Sequence, residues 1–110
     1  MTSTLHAPRL AVVGAGPAGL ALALLAAQRL PRAQVCVFDA RAIDKDVSLD
    51  PRTLALSLGS VQLLERVRAW PTEAAQPIRE VHVSQAPPTG PDAEVTIRAA
   101  DEGVPMLGAV

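Results

Sequence analysis

Apolar residues run together in the first part of the chain and alternate with polar ones in the last. Arg9 to Val13 is a short apolar run that ends at a glycine, as expected of a strand buried on both faces. Pro17 to Leu30 is an Ala- and Leu-rich stretch of good helix formers, with Pro17 at the first helical position and Pro31 just past the end. Gln34 to Phe38 (QVCVF) is a second apolar strand. Together they predict a strand, helix, strand unit whose strands are parallel and whose crossover is right-handed. Arg41 to Asp50 is polar and mixed in charge, and reads as a surface loop. Pro51 to Trp70 reads as helix-rich with a break at Gly59-Ser60, where Ser60 caps a helix from Val61 to Trp70 that Pro71 stops.

Beyond Trp70 the period changes to two. Ile78 to Ser84 alternates around Val81 and Val83, and Glu94 to Arg98 around Val95 and Ile97. Pro87 to Asp92 between them is dense in turn residues, so the pattern predicts an antiparallel pair joined by a long hairpin loop. Val104 to Val110 starts a further apolar run, and no internal repeat or low-complexity tract is present.

Composition narrows the function classes. With 110 residues the chain is one small domain at most, and a net charge of -1 gives no field to draw it onto nucleic acid or acidic lipid. A lone Cys36 excludes an internal disulfide framework and a zinc site built on cysteine pairs. Phe38 and Trp70 are the only aromatic residues, too few for a base-stacking platform. Leu10 to Ala27 carries no charge and reaches the lower length limit of a membrane span or signal sequence. Gly14, Gly16, Pro17 and Gly19 in its middle argue against a single helix, at about 1 kcal/mol per Gly and about 3 for an interior Pro.

Those same residues carry the chemistry. Gly14-Ala15-Gly16-Pro17-Ala18-Gly19 fits G-x-G-x-x-G between a strand and a helix, and Asp39, 20 residues after Gly19, directly ends the second strand. Gly14 permits the tight turn, Gly16 lets backbone approach a pyrophosphate, and Gly19, with Ala23 one turn on, lets the helix pack close to the sheet. Free N–H groups at the helix start favour phosphate, and Asp39 would accept from ribose hydroxyls, disfavouring a 2′-phosphate. FAD and NAD both remain open at this point. The plain alternatives are that the glycines serve only the turn and that Asp39 is a cap or a surface acid. Cys36 reads as a core hydrophobe, His6 and His82 as solvated or structural, and Trp70 as a packing anchor. No residue reads as a catalytic acid, base or nucleophile, and none as a metal ligand.

Asp50-Pro51-Arg52-Thr53-Leu54-Ala55-Leu56-Ser57-Leu58-Gly59-Ser60 resembles the D-x-R-x-x-A-L-S-x-G-S segment of the flavin-dependent aromatic hydroxylases of ubiquinone biosynthesis. Ile78 to Ser84 and Ala100 to Gly108 also resemble the polyprenyl-methoxyphenol hydroxylase branch of that family. The resemblance implies a Rossmann-like FAD-binding βαβ unit with the start of an antiparallel substrate-domain sheet, the fold class being α/β and incomplete. It implies a flexible N-terminus over 1–8, the N-terminal part of an FAD-binding domain over 9–75, and a substrate-domain hairpin over 76–110. The cofactor-binding residues it implies are Gly14, Ala15, Gly16, Pro17, Ala18, Gly19, Asp39, Ala40, Arg41 and Arg52. Arg52 would reach the flavin nucleotide, and Arg41 would border the adenine or ribose.

The implied activity is oxygen-dependent hydroxylation of a polyprenylated phenol, with FAD as cofactor, NAD(P)H as reductant and O2 as co-substrate. A cytoplasmic location is implied, with association at the inner-membrane periphery or in a biosynthetic complex. Two departures stand out: the family usually carries Glu at the Asp39 position, and its further FAD-contacting D-G and G-D pairs have no counterpart here. The resemblance therefore implies only the N-terminal part of such an enzyme, inactive on its own, and the open strand edges predict that it is poorly stable or self-associates. The alternatives are the nucleotide-binding unit of an NAD-dependent dehydrogenase, and a non-enzymatic or exported product whose first stretch is a signal sequence.

Overall fold

The computed structural model describes residues 6–84 and 94–110. The chain is mixed α/β, in the order β1 (Arg9–Val13), α1 (Pro17–Arg29), β2 (Gln34–Phe38), β3 (Leu56–Ser57), α2 (Leu58–Arg66), β4 (Pro77–Ile78), β5 (Glu80–Ser84), β6 (Glu94–Arg98) and β7 (Gly108–Ala109). It divides into two compact units, Met1–Asp50 and Pro51–Val110. The second unit takes in the segment after Asp50 because β3 and β4 both pair with β7.

In the first unit β1 and β2 are parallel, in register from Arg9 opposite Gln34 to Val13 opposite Phe38. Pro8 extends the pairing, its carbonyl accepting from the Gln34 N–H at 2.9 Å. The uncharged run from Leu10 is therefore strand, turn and helix, and no described helix is long and apolar enough to cross a membrane. Ala23 and Ala26 of α1 and Val12 of β1 are the buried residues here. Small side chains on α1 bring its backbone near the strands, and Leu22 and Leu24 face solvent. The expectation of strands buried on both faces is corrected: alternate residues of β1 are exposed, Val13 at 87% and Phe38 at the end of β2 at 56%. Only one layer, α1, covers the pair, so the face carrying Ala11, Val13, Cys36 and Phe38 has no partner among the described residues of this unit, and Cys36 is half-buried rather than in a core.

The second unit is built around β7, with β3 and β4 on either side, both antiparallel to it. Its core is Val61, fully buried, with Val67, Ala99 and Ala109. Gly108 is required by contact: a Cβ there would run into the Leu56 carbonyl oxygen. Two features of α2 correct the sequence reading. Ser57, not Ser60, is the N-cap, its Oγ accepting from the Ser60 N–H at 3.4 Å, so Gly59 lies inside the helix rather than at a break. The helix ends at Arg66, short of Trp70, because Arg68 adopts φ +61° and closes a Schellman turn, with Arg68 N–H to Glu65 O at 3.0 Å and Ala69 N–H to Leu64 O at 2.8 Å.

The strand expected over Ile78 to Ser84 is split at Arg79, since Pro77–Ile78 joins β7 whereas Glu80–Ser84 pairs with β6. The β5–β6 hairpin runs antiparallel from Glu80 opposite Arg98 to Ser84 opposite Glu94. One face carries Val81, Val83, Val95 and Ile97, all exposed; the other carries an Arg98 to Glu80 ion pair at 3.0 Å and a His82 Nδ1 to Thr96 Oγ1 hydrogen bond at 2.9 Å. The loop with Pro87 to Asp92 lies outside the described residues.

Candidate nucleotide site

The site begins where β1 turns into α1. Gly14 has φ +106°, a conformation that side-chain-bearing residues rarely adopt, and its N–H donates to the Phe38 carbonyl at 2.7 Å. Gly19 sits one helical turn in, where a Cβ would strike the Gly14 carbonyl oxygen. These two glycines are thus fixed by the fold itself. Gly16 differs: it is the helix N-cap, with φ -77°, and a Cβ would meet nothing within 4 Å. No side chain caps α1, and among the described residues the N–H groups of Gly16, Ala18 and Gly19 have no acceptor; Pro17 has none to offer, and Leu20 N–H already donates to Gly16 O at 3.0 Å.

Asp39 sits beside this turn. Its Oδ1 accepts from Ala15 N–H at 3.2 Å and its Oδ2 from Arg41 N–H at 3.2 Å, while Arg41 Nε lies 3.9 Å from Oδ2. The Ala15 N–H and then the Arg41 N–H hold the Asp39 carboxyl below the usual carboxylate range, helped by the Arg41 guanidinium and the Ala40 N–H. The group is an anion at neutral pH.

From Asp39 the chain lines an open cleft of about 590 Å³, within the range of small-molecule sites. Asp39, Arg41 and Lys45 give it charge, and Leu20, Val37 and Ile43 give it apolar wall. Of the ten sequence-implied residues, Gly14 to Gly19 with Asp39 to Arg41 are gathered at one end of the β1–β2 pair, and Ala15, Asp39 and Arg41 line the cleft. Arg52 belongs to the second unit, in the segment ahead of β3. The walls were missed because Arg41 to Asp50 read as a polar loop; the signal was Ile43 and Val47, two apolar residues in a charged stretch. That loop is held by local bonds, among them Ser48 N–H to Asp46 Oδ1 at 2.9 Å; the Ser48 side chain and then its N–H keep the Asp46 carboxyl below its ordinary range. Among the described residues no group of His, Cys, Asp and Glu is placed to hold a metal ion.

A bent β-to-α junction with free N–H groups, followed by an anchored acid at the end of the next strand, can bind a diphosphate and the sugar next to it. Residues 12–43 match the family model described as an NAD(P)-binding Rossmann-like domain. The matched stretch spans the glycine turn, α1, β2 and Asp39 to Arg41, so the first unit is Rossmann-like in fold, and the match fits the nucleotide-binding segment of an oxidoreductase. No curated protein matches the chain.

Proposed function

We propose that the chain is the FAD-holding segment of a flavin-dependent monooxygenase that hydroxylates a polyprenylated phenol, with NAD(P)H as reductant and O2 as oxidant. The observation that carries this reading beyond nucleotide binding is in the second unit. The three stretches that resemble the hydroxylases, Asp50 to Ser60, Ile78 to Ser84 and Ala100 to Gly108, meet at one place: Ser57 and Ile78 both pair with Gly108, and Leu107 accepts from Leu58 N–H at 2.9 Å and donates to Ile78 O at 2.7 Å. A dehydrogenase unit gives no reason for that trio.

The first unit's residues fit the cofactor. The open backbone at Gly16 and the unpaired N–H groups of Gly16, Ala18 and Gly19 would meet the pyrophosphate, and Asp39 would accept from the ribose hydroxyls. Leu20, Val37 and Ile43 would flank the adenine, with Arg41 at its border. Arg52 would pair in a forked geometry with phosphate or ribose oxygens of the flavin nucleotide. The chemistry FAD supplies when bound is oxygen activation after reduction by NAD(P)H; the protein contributes placement and exclusion of water. The same reading makes 9–75 part of the FAD-binding domain and 76–110 the start of the substrate domain, in a cytoplasmic protein at the inner-membrane periphery or in a biosynthetic complex. The uncovered face of β1–β2 supports self-association of the isolated chain, which would show as a melting temperature that rises with concentration.

The match of residues 12–43 to an NAD(P)-binding model favours one second reading, an NAD-dependent dehydrogenase unit. Titrating the chain with FAD, NAD+ and ADP-ribose, as wild type and as Arg52→Ala, separates the two. We expect Arg52→Ala to weaken FAD binding and to leave ADP-ribose unchanged. Equal loss for neither ligand, with NAD+ bound more tightly than FAD, would replace the hydroxylase with the dehydrogenase, and no binding of any of the three would remove the nucleotide reading altogether.

A further inference from the structure

The end of β2 grips the glycine turn at two successive positions. Phe38 takes the Gly14 N–H through its main-chain carbonyl, at 2.7 Å, and Asp39 takes the next N–H, that of Ala15, through a side-chain oxygen, at 3.2 Å. The first bond continues the ladder of a parallel pair and would form with any residue at position 38. The second is made by a side chain alone and ties the turn just before Gly16, where the unpaired N–H groups begin. Asp39 is itself held, since its other oxygen accepts from Arg41 N–H.

We propose that Asp39 is a positioning residue for the phosphate-binding turn, in addition to being a ligand of the sugar. The inference rests on the nucleotide reading above and deepens it. The two tasks are compatible: a carboxylate offers about four lone-pair sites, and the bonds to the Ala15 and Arg41 N–H groups take one on each oxygen. Without the Ala15 bond, the N–H groups of Gly16, Ala18 and Gly19 would no longer be pre-aimed, and ordering them would be charged to binding.

The probe is inorganic pyrophosphate, which has no sugar, because the two roles then predict opposite signs. If Asp39 served only the ribose, Asp39→Ala would remove an anion close to the phosphate site and leave pyrophosphate affinity equal or higher. If it positions the turn, Asp39→Ala lowers that affinity, by about tenfold for the loss of one ordered hydrogen bond. Asp39→Asn keeps an oxygen for Ala15 N–H and should bind pyrophosphate at least as well as wild type. Calorimetric titration of the full chain reads all three. Pyrophosphate bound by Asp39→Ala as tightly as by wild type, or an Asp39→Asn as weak as Asp39→Ala, overturns the positioning role while leaving the nucleotide site standing. A wild-type chain that binds neither pyrophosphate nor FAD overturns both. Should Asp39→Ala fail to fold, amide exchange on the other two decides. Ala15 N–H protected in wild type and in Asp39→Asn supports the role, and Ala15 exchanging freely in wild type ends it.

Discussion

The two units of this chain solve the same problem, bringing strands and a helix into contact, with different materials. The first does it by leaving side chains out. Gly14, Gly19, Ala23 and Ala26 let α1 lie close to β1 and β2, and what results is a bent backbone with unpaired donors next to a fixed carboxylate. The second does it by pairing side chains and filling space, with Val61 fully buried, Ser57 capping α2 and cross-strand pairs along β5 and β6. A region built from bare main chain is ready to receive a ligand's phosphates. A region built from paired side chains is ready-made scaffolding, and among its described residues Val81, Val83, Val95 and Ile97 form an exposed apolar face on the hairpin.

Substitutions at the two closely packed glycines test this division most severely. Gly19→Ala puts a methyl group into the Gly14 carbonyl oxygen, and Gly108→Ala puts one into that of Leu56. Neither obstacle is a side chain that can swing away, so each change should cost about 3 kcal/mol, at the upper end for overpacking. Amide exchange should show which unit opens: β1 and β2 for Gly19→Ala, and β3, β4 and β7 for Gly108→Ala. Both variants opening every strand together would show that the two units are one cooperative body. Val61→Ala, measured by urea unfolding, should cost the second unit about 2 kcal/mol for a buried cavity it cannot collapse.

Gly16→Val sharpens the contrast from the other side. A Cβ there meets nothing and φ is ordinary, so stability should change by no more than about 1 kcal/mol, the range for a poorer N-cap. FAD affinity, in contrast, should fall at least about a hundredfold, the worth of two charge-assisted hydrogen bonds at about 1.5 kcal/mol each. A Gly16→Val chain with unchanged FAD affinity would leave the open backbone without a purpose.

This division also explains how much of the molecule was legible in its sequence. β1 and β2 fall where the apolar runs place them and α1 stops one residue short of expectation, because local composition decides both and the glycine spacing needs no tertiary partner to be read. The second unit was read less well because its boundaries depend on partners far along the chain. The two-residue strands β3, β4 and β7 are too short to carry a period, and the break at Arg79 marks only a change of neighbour, from β7 to β6. The stop at Arg68 was invisible because it uses an arginine where glycine is usual. In the site, the glycines and Asp39 could be found, whereas the Ala15 bond depends on how the end of β2 lies beside the glycine turn, and the lining residues after Asp39 depend on the path of a loop that has no period.

Smaller effects probe the side-chain architecture. Arg68→Gly should stabilise the second unit by about 0.5–1 kcal/mol, since relief of the left-handed conformation at φ +61° exceeds the entropy that glycine adds to the unfolded chain. Thermal melts of the two chains suffice to check it. Arg98→Ala removes an exposed ion pair and should cost less than about 0.5 kcal/mol, less still at high salt.

The last prediction concerns acid. The folded chain lowers the pKa of Asp39, chiefly through the Ala15 and Arg41 N–H groups, relative to its value when unfolded. A group depressed in this way binds a proton more readily unfolded than folded, so its contribution is complete above the unfolded-chain value of about 3.9 and fades as pH falls through the lower folded value. Asp46, lowered by Ser48, acts in the same direction and in the same unit. Urea unfolding at pH 6 and pH 3, read from the first unit's amides, should therefore show a loss in acid that shrinks in Asp39→Asn and shrinks further in Asp39→Asn with Asp46→Asn. A pH dependence that survives both substitutions intact would place the acid sensitivity of the first unit somewhere other than its nucleotide turn, and would weaken the case that the carboxylate of Asp39 braces that turn at all.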